Sequence, residues 1–169
     1  ELKIISTDPP YYDNICYADL SDFFYVWLRR SLTSLYPDIF STFLVPKLQE
    51  LVATPYRFDG SKEKAKTFFE KGLRKAFQRM YKISHLDYPF TTYYAFKQAE
   101  IESKSEGNQS VASTGWETML EGLMQANFSI CGTWPLRTER SARMRSIDSN
   151  ALASSIVLVC RPRPENAPK

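Results

Sequence analysis

Four short stretches of the chain have the apolar, β-branched or aromatic composition that predicts β-strands. They are residues 2–5, 90–96, 128–133 and 153–160. The first stretch is followed closely by Pro9 and Pro10, which cannot continue a strand. We therefore expect residues 2–5 to form a buried strand whose carboxyl end lies next to these prolines.

Between these stretches, apolar residues recur at the spacing of amphipathic helices. The first such helix begins near Asp19 and ends at Pro37. Its apolar face consists of Leu20, Phe23, Phe24, Trp27, Leu28, Leu32 and Leu35. Because large apolar side chains on one side of a helix usually pack in a core, we expect this face to be buried.

Two further helices are predicted downstream. Residues 61–84 form a long helix with Ser61 as its N-cap, and another helix opens with a capping-box pattern at Thr114. The buried face of the long helix is expected to contain Ala65, Phe69, Leu73, Ala76, Phe77 and Met80. The alternation of helices and strands predicts an α/β fold with a mixed sheet and flanking helices.

Length and composition limit the remaining possibilities. The 169 residues predict one domain, in which residues 38–60 form an irregular insertion, 100–113 a mobile loop and 161–169 a tail. The net charge of +3 is compatible with a nucleic-acid partner, but it is too small to indicate one. The three cysteines have no metal-site spacing, which favours free thiols in the cytoplasm and no bound metal. No apolar run is long enough to predict a membrane span.

The tetrapeptide Asp8-Pro9-Pro10-Tyr11 carries the most specific chemistry. It follows the first predicted strand, and open α/β sheets bind ligands at that end of their strands. The exocyclic amine of a nucleobase is a poor nucleophile because its lone pair is delocalised into the ring. The carboxylate of Asp8 and the carbonyl of Pro9 can accept its two hydrogens and free that lone pair. Tyr11 offers a ring on which an extruded base can stack. The alternative is a structural Pro-Pro turn capped by Asp8.

This tetrapeptide resembles the catalytic motif of S-adenosylmethionine-dependent amino-methyltransferases that act on nucleic acids. Residues 7–14 and 17–24 are similar to the large prokaryotic adenine-specific DNA methylases, and residues 93–97 and 133–139 fit the same family. The resemblance implies a Rossmann-like methyltransferase fold in which residues 90–96 form the next parallel strand. It also implies methyl transfer to an exocyclic amine of a DNA base, with adenine N6 preferred, by Asp8, Pro9, Pro10 and Tyr11.

Other residues are candidates for contacts with the base or with the DNA backbone. Tyr12 and Tyr17 lie near the motif in sequence and, together with Tyr11, are candidates to line a base pocket. Lys97 lies at the end of the next strand and is a candidate to reach the same site. Arginine binds phosphate through two hydrogen bonds, so an arginine-rich loop predicts backbone contacts, with a plain exposed loop as the alternative. The loop contains Arg137, Arg140, Arg143 and Arg145. A stripe of Lys64, Lys71, Lys75 and Lys82 is interpreted first as a solvated surface and second as a phosphate-binding surface.

The sequence contains no recognisable cofactor loop. Its six glycines form no Gly-x-Gly, and the element order matches the catalytic half of the methyltransferase fold. The cofactor-binding half is expected to precede Glu1 in a parent protein. We therefore expect this chain alone to be inactive, to bind S-adenosylmethionine weakly or not at all, and to self-associate through exposed apolar surface.

Two alternatives to a DNA adenine methyltransferase remain open. The first keeps the fold and methylates another planar amine, namely cytosine N4, guanine N2 of RNA or a glutamine amide. The glutamine enzymes usually carry Asn at the position of Asp8, which disfavours that option. The second alternative is a non-catalytic DNA-binding module, in which the lysine stripe and the arginine loop bind the backbone.

Overall fold

The computed structural model describes residues 2–13, 15–97, 112–136 and 152–164, with side chains except at 96, 97, 112–114 and 152–154. Its strands are β1 (Ser6–Thr7), β2 (Phe90–Lys97), β3 (Phe128–Leu136) and β4 (Leu152–Pro162). Its helices are α1 (Tyr17–Leu32), α2 (Lys62–Ile83) and α3 (Ala112–Gln125), and a short 3₁₀ helix covers Pro55–Phe58. The prediction of an α/β fold with a mixed sheet and helices is confirmed at this level.

The four strands form one sheet in the order β1-β2-β4-β3. β1 runs parallel to β2, with Ser6 opposite Thr91 and Thr7 opposite Thr92. β4 is antiparallel to both of its neighbours, β2 and β3. The parallel relation expected between the strand before the motif and residues 90–96 is therefore confirmed.

The first strand is shorter and less buried than the sequence predicts. Strand pairing with β2 begins only at Ser6, and the side chains of Leu2 and Ile4 are 48% and 68% exposed. The prediction of a buried strand at residues 2–5 is wrong. Among the described strands this segment lies at the edge of the sheet, and apolar composition alone does not distinguish an edge position from a central one.

Helix α2 forms as predicted. The side-chain oxygen of Ser61 accepts a hydrogen bond from the backbone N–H of Lys64 at 3.2 Å, which is the expected N-cap. Of the predicted face, Ala65, Phe69, Leu73 and Phe77 are buried, whereas Ala76 and Met80 are half-buried. All four lysines of the stripe are exposed.

The contacts within the chain divide it into two compact units. One unit comprises residues 1–11 and 70–169, and the other comprises residues 12–69. The first unit contains the four strands, α3 and the second part of α2. The second unit contains α1, the 3₁₀ helix and the first turns of α2.

The core of the first unit is built from aromatic residues on α2 and the sheet. The ring centroids of Phe77 and Phe90 are 6.2 Å apart, and those of Phe90 and Phe128 are 4.8 Å apart. α3 packs against α2 at Gly122, where an added Cβ would lie 3.3 Å from the ring of Phe77. A residue without a side chain is therefore what allows the two helices to approach so closely.

Helix α3 begins earlier than the sequence predicts. Its first residue is Ala112, so Thr114 lies inside the helix and the capping-box prediction is wrong. The apolar spacing predicts a buried face of Trp116, Leu120, Leu123 and Met124. Of these residues Leu123 is buried and Met124 is exposed, whereas the neighbouring Met119 is buried, so the face is rotated from the prediction. The spacing of a few apolar residues predicts the buried side of a helix only to within about one position. In α3 the buried side is the one on which Gly122 packs against Phe77.

Helix α1 exposes the face that we expected to be buried. Leu20, Phe23, Phe24 and Trp27 are 58–69% exposed, whereas Ala18 and Tyr25 on the other side are buried. The core prediction for this face is wrong, because the connection after α1 packs on the opposite side of the helix. There the hydroxyl of Tyr25 donates a hydrogen bond to the backbone oxygen of Thr42 at 3.0 Å. The apolar spacing correctly indicates an amphipathic helix, but not which partner covers it.

Candidate active site

The motif Asp8-Pro9-Pro10-Tyr11 directly follows β1 in the first unit. The side chain of Asp8 is exposed, Pro9 is buried, and the ring of Tyr11 is half-buried. Within the described ranges Asp8 forms no ion pair with a lysine or arginine. The carboxylate is thus held at the carboxyl end of a strand and remains open to solvent, as a group that binds a substrate must be.

Asp8 and Tyr11 are joined directly. The hydroxyl of Tyr11 donates a short hydrogen bond to Oδ1 of Asp8. Because a carboxylate accepts hydrogen bonds at both of its oxygens, Oδ2 can still accept one from another donor. The pair therefore combines an oriented acceptor with an aromatic ring within four consecutive residues.

The ring of Tyr11 stands at one end of a row of aromatic side chains. It packs edge-on against Tyr94 of β2, with 5.8 Å between the centroids, and Tyr94 in turn contacts Trp116 of α3 at 5.3 Å. Tyr94 and Trp116 are not among the site residues that the sequence predicts. The observed register explains the contact with Tyr94, because Thr7 pairs with Thr92 and the chain therefore continues alongside residues 93 and 94.

The next residue, Tyr12, belongs to the second unit and has a strained backbone. Its φ of 37° lies in the left-handed region, which bulky residues rarely adopt. Its carbonyl accepts a hydrogen bond from the N–H of Ala53 at 2.9 Å, and its ring packs edge-on against Phe69 at 5.3 Å. Strained conformations of this kind persist where several contacts fix them, and they are frequent at functional sites.

The other predicted base contacts stay predictions. Tyr17 is the first residue of α1, and its side chain is exposed. Lys97 is the last residue of β2, and its side chain lies outside the described residues. By the register it lies about four residues beyond the level of Asp8, which corresponds to ~13 Å along the strand.

The predicted backbone-binding arginines Arg137, Arg140, Arg143 and Arg145 all lie outside the described residues. Among the residues that are described, no group of three or more His, Cys, Asp or Glu side chains is arranged to hold a metal ion. Within the same ranges, no helix combines the length and apolar character that a membrane-spanning segment requires.

The second unit contains a charged cluster that sequence analysis missed. Arg57, whose side chain is only 8% exposed, donates from Nη2 to Asp19 at 2.8 Å and to Glu50 at 2.7 Å. Its Nη1 donates to the backbone oxygen of Lys47 at 3.0 Å. Tyr56 also donates a hydrogen bond to Asp19. The residues lie up to 38 positions apart, so no local pattern could have predicted the cluster.

These contacts shift several pKa values. Hydrogen bonds from Tyr56 and Arg57 lower the pKa of Asp19. The hydrogen bond between Tyr56 and Asp19 in turn raises the pKa of Tyr56 to about 12. Burial favours the neutral form of Arg57, but hydrogen bonds to Asp19 and Glu50 outweigh it and raise the pKa of Arg57. Asp19 and Arg57 are therefore both charged in the physiological pH range.

Comparison of the chain with protein-family models, with curated proteins and with solved structures finds no match.

Proposed function

We propose that this chain is the catalytic part of an S-adenosylmethionine-dependent DNA amino-methyltransferase, with adenine N6 as its preferred target. The observation that carries the proposal is the pair of Asp8 and Tyr11 at the end of β1, where the hydroxyl of one residue orients the carboxylate of the other. Tyr94, which is buried, packs edge-on against Tyr11 and holds the half-buried ring that would face a planar base.

The residues of the motif would act on the target amine by orientation. The free oxygen of Asp8 and the carbonyl of Pro9 would accept the two amine hydrogens, so that the nitrogen lone pair points away from the ring system. The amine loses one proton as it is methylated, and the exposed carboxylate of Asp8 is placed to pass that proton to water. Tyr11 would stack on the extruded base while its hydroxyl holds Asp8.

We propose that S-adenosylmethionine is not held by a glycine-rich loop next to the motif. No glycine-rich loop follows β1, and the glycines that are described lie elsewhere in the fold. We assign binding of S-adenosylmethionine, which would provide the methyl group, to a cofactor-binding half that is not part of this sequence. That half is the principal partner that the proposal requires, together with DNA.

The proposal is tested in the full-length protein that carries this chain. Asp8→Ala should lower kcat for methylation of adenine-containing DNA by about 100-fold or more, because it removes an acceptor needed in the transition state. The affinity for S-adenosylmethionine should stay unchanged. Asp87→Ala is the matched control, since Asp87 is also an exposed carboxylate of the first unit. Activity retained in Asp8→Ala would overturn the role given to this motif.

The same experiment separates the target amines. Cytosine-containing DNA, RNA with unpaired guanine and a glutamine-containing peptide are offered to the same protein, and the methylated product is identified by mass spectrometry. We expect methylation of adenine N6 alone. Methylation of another amine that Asp8→Ala also abolishes would keep the mechanism and change the substrate.

A non-catalytic DNA-binding module is the second candidate, favoured by the exposure of all four lysines on α2. Replacing Lys71 and Lys75 by Gln should then weaken DNA binding and reduce its dependence on salt concentration. The two candidates differ in their response to Asp8→Ala, which abolishes methylation in the first and leaves DNA binding unchanged in the second.

A further inference from the structure

The segment before α2 holds a buried arginine that the proposed mechanism does not use. Arg57 bonds two carboxylates, Asp19 and Glu50, and the backbone oxygen of Lys47, all within the second unit. Breaking a buried ion pair leaves a buried charge without its partner, which is strongly destabilising. Such a cluster therefore fixes the positions of the segments that carry its residues. The segments here are the first turn of α1 and residues 47–57.

Glu50 connects this cluster to the beginning of α1. The N-cap residue of α1, Cys16, provides no side-chain cap. In its place, Oε1 of Glu50 accepts the N–H of Ala18 at 3.1 Å, while Oε2 binds Arg57. One carboxylate therefore satisfies an orphan N–H of the helix and holds the arginine at the same time.

The same segment also holds Tyr12. Between Glu50 and Arg57 lie Val52 and Ala53, which are both 3% exposed. The N–H of Ala53 donates to the carbonyl of Tyr12 at 2.9 Å. Because a left-handed tyrosine is unfavourable by itself, its conformation depends on contacts such as this one. Tyr12 is also the residue that follows Tyr11 of the motif in the chain.

We propose that residues 47–57 are a positioning element that imposes the conformation of Tyr12, and that Arg57 is its positioning residue. The inference rests on the proposed function, since it assigns the element to the same motif. Arg57 does not touch the substrate; it holds Glu50 and Asp19, and through them the segment that binds the carbonyl of Tyr12. Loss of this arrangement would let the backbone of Tyr12 relax, and because Tyr12 directly follows Tyr11, the orientation of the Tyr11 ring would no longer be fixed.

Arg57→Lys is the informative substitution, because it keeps the positive charge but cannot bond both carboxylates in the planar geometry of a guanidinium. In the full-length protein, we expect kcat to fall by about 10- to 100-fold, with KM for S-adenosylmethionine changed by less than about twofold. Amide exchange at Ala18 and Ala53, followed by mass spectrometry on peptides covering 12–18 and 50–57, should become about tenfold faster. Exchange in α3 should not change.

Arg74→Lys is the matched control, because Arg74 is exposed and makes one 3.3 Å hydrogen bond to Gln125. It should leave kcat and both exchange rates unchanged. Glu50→Gln keeps an oxygen for Ala18 but loses its charge, and it replaces Arg57→Lys if that variant does not fold. For this variant we expect the same fall in kcat and faster exchange at Ala53, with exchange at Ala18 little changed.

Two results would overturn the inference. One is faster exchange at Ala18 and Ala53 with kcat unchanged, which would make the cluster purely structural. The other is unchanged exchange at these two amides. Failure of the proposed function is recognised separately: activity retained in Asp8→Ala removes the catalytic role of the motif, while the exchange rates still report whether Arg57 holds Tyr12.

Discussion

The hydroxyl of Tyr11 donates a hydrogen bond to the carboxylate of Asp8, three residues earlier in the chain. Tyr11→Phe removes this donor and keeps the ring. We expect kcat for DNA methylation to fall by about tenfold, less than for Asp8→Ala, with KM for DNA little changed because stacking is retained. Steady-state kinetics on the full-length protein measure both parameters. Tyr81→Phe is the control, because it removes a hydroxyl that bonds only to the backbone oxygen of Arg163 among the described residues. A raised KM with normal kcat would contradict the orienting role of the hydroxyl.

The stability of the second unit should depend on acid pH. Hydrogen bonds from Tyr56 and Arg57 lower the pKa of Asp19, and a hydrogen bond from Lys47 lowers that of Asp22. The folded chain therefore binds fewer protons than the unfolded chain near pH 4, so its stability is lost as the pH falls through the folded pKa values.

We expect Tm to be nearly constant from pH 7 to about pH 5 and to fall below about pH 4. Asp22→Asn should reduce this fall, because it removes one of the two carboxyl groups whose pKa is lowered in the folded chain. Asp38→Asn, at an exposed position outside the cluster, should not. Thermal unfolding followed by circular dichroism at each pH makes the comparison. Equal pH dependence in all three proteins would show that the Lys47–Asp22 contact contributes nothing.

Cys131 and Cys160 should differ in their reactivity toward alkylating reagents. Cys160 is completely buried in β4, and burial raises its pKa to about 12, whereas Cys131 is exposed. Since the thiolate is the reactive form, iodoacetamide at pH 8 should alkylate Cys131 in the native chain and Cys160 only after unfolding in urea. Peptide mapping by mass spectrometry identifies the modified residue. Equal alkylation of both residues in the native chain would contradict the packing of β4.

The exposed face of α1 should make the isolated chain self-associate. Leu20, Phe23, Phe24 and Trp27 together leave roughly 500 Å² of apolar surface in contact with water, which equals the largest apolar patch of a typical monomer and is a size common at interaction sites. We expect light scattering to show a mass that rises with concentration. Phe24→Gln with Trp27→Gln should lower that mass, and Lys71→Gln with Lys75→Gln should not. A wild-type chain that stays monomeric at all concentrations would contradict the prediction.

Local signals predicted much of the fold. Helix α2 was predictable because a helix is stabilised by contacts between residues three and four positions apart. Its signals are the cap at Ser61 and the apolar spacing of Ala65, Phe69, Leu73 and Phe77. Strand β2 was likewise clear from its β-branched and aromatic composition. The partners of α1 and β1 were not predictable in this way, since periodicity shows that one face is apolar but not what covers it.

The candidate site was predicted only in part. The chemistry of Asp8 and Tyr11 follows from their residue types, but the hydrogen bond between them depends on the turn made by two prolines. The left-handed Tyr12 was not predictable, because Gly or Asn is the usual sign of such a backbone. Arg57 was missed because its partners come together only when residues 47–57 fold against α1.

The position of β4 has a consequence for how the sheet is made during synthesis. β3 pairs with β4 and not directly with β2, although β2 and β3 both precede β4 in the chain. The ribosome therefore releases β2 and β3 before the strand that joins them exists. Until residues 152–162 emerge, β2 and β3 each lack the strand with which they pair most extensively, and the rings of Phe90 and Phe128 have no completed sheet to hold them together.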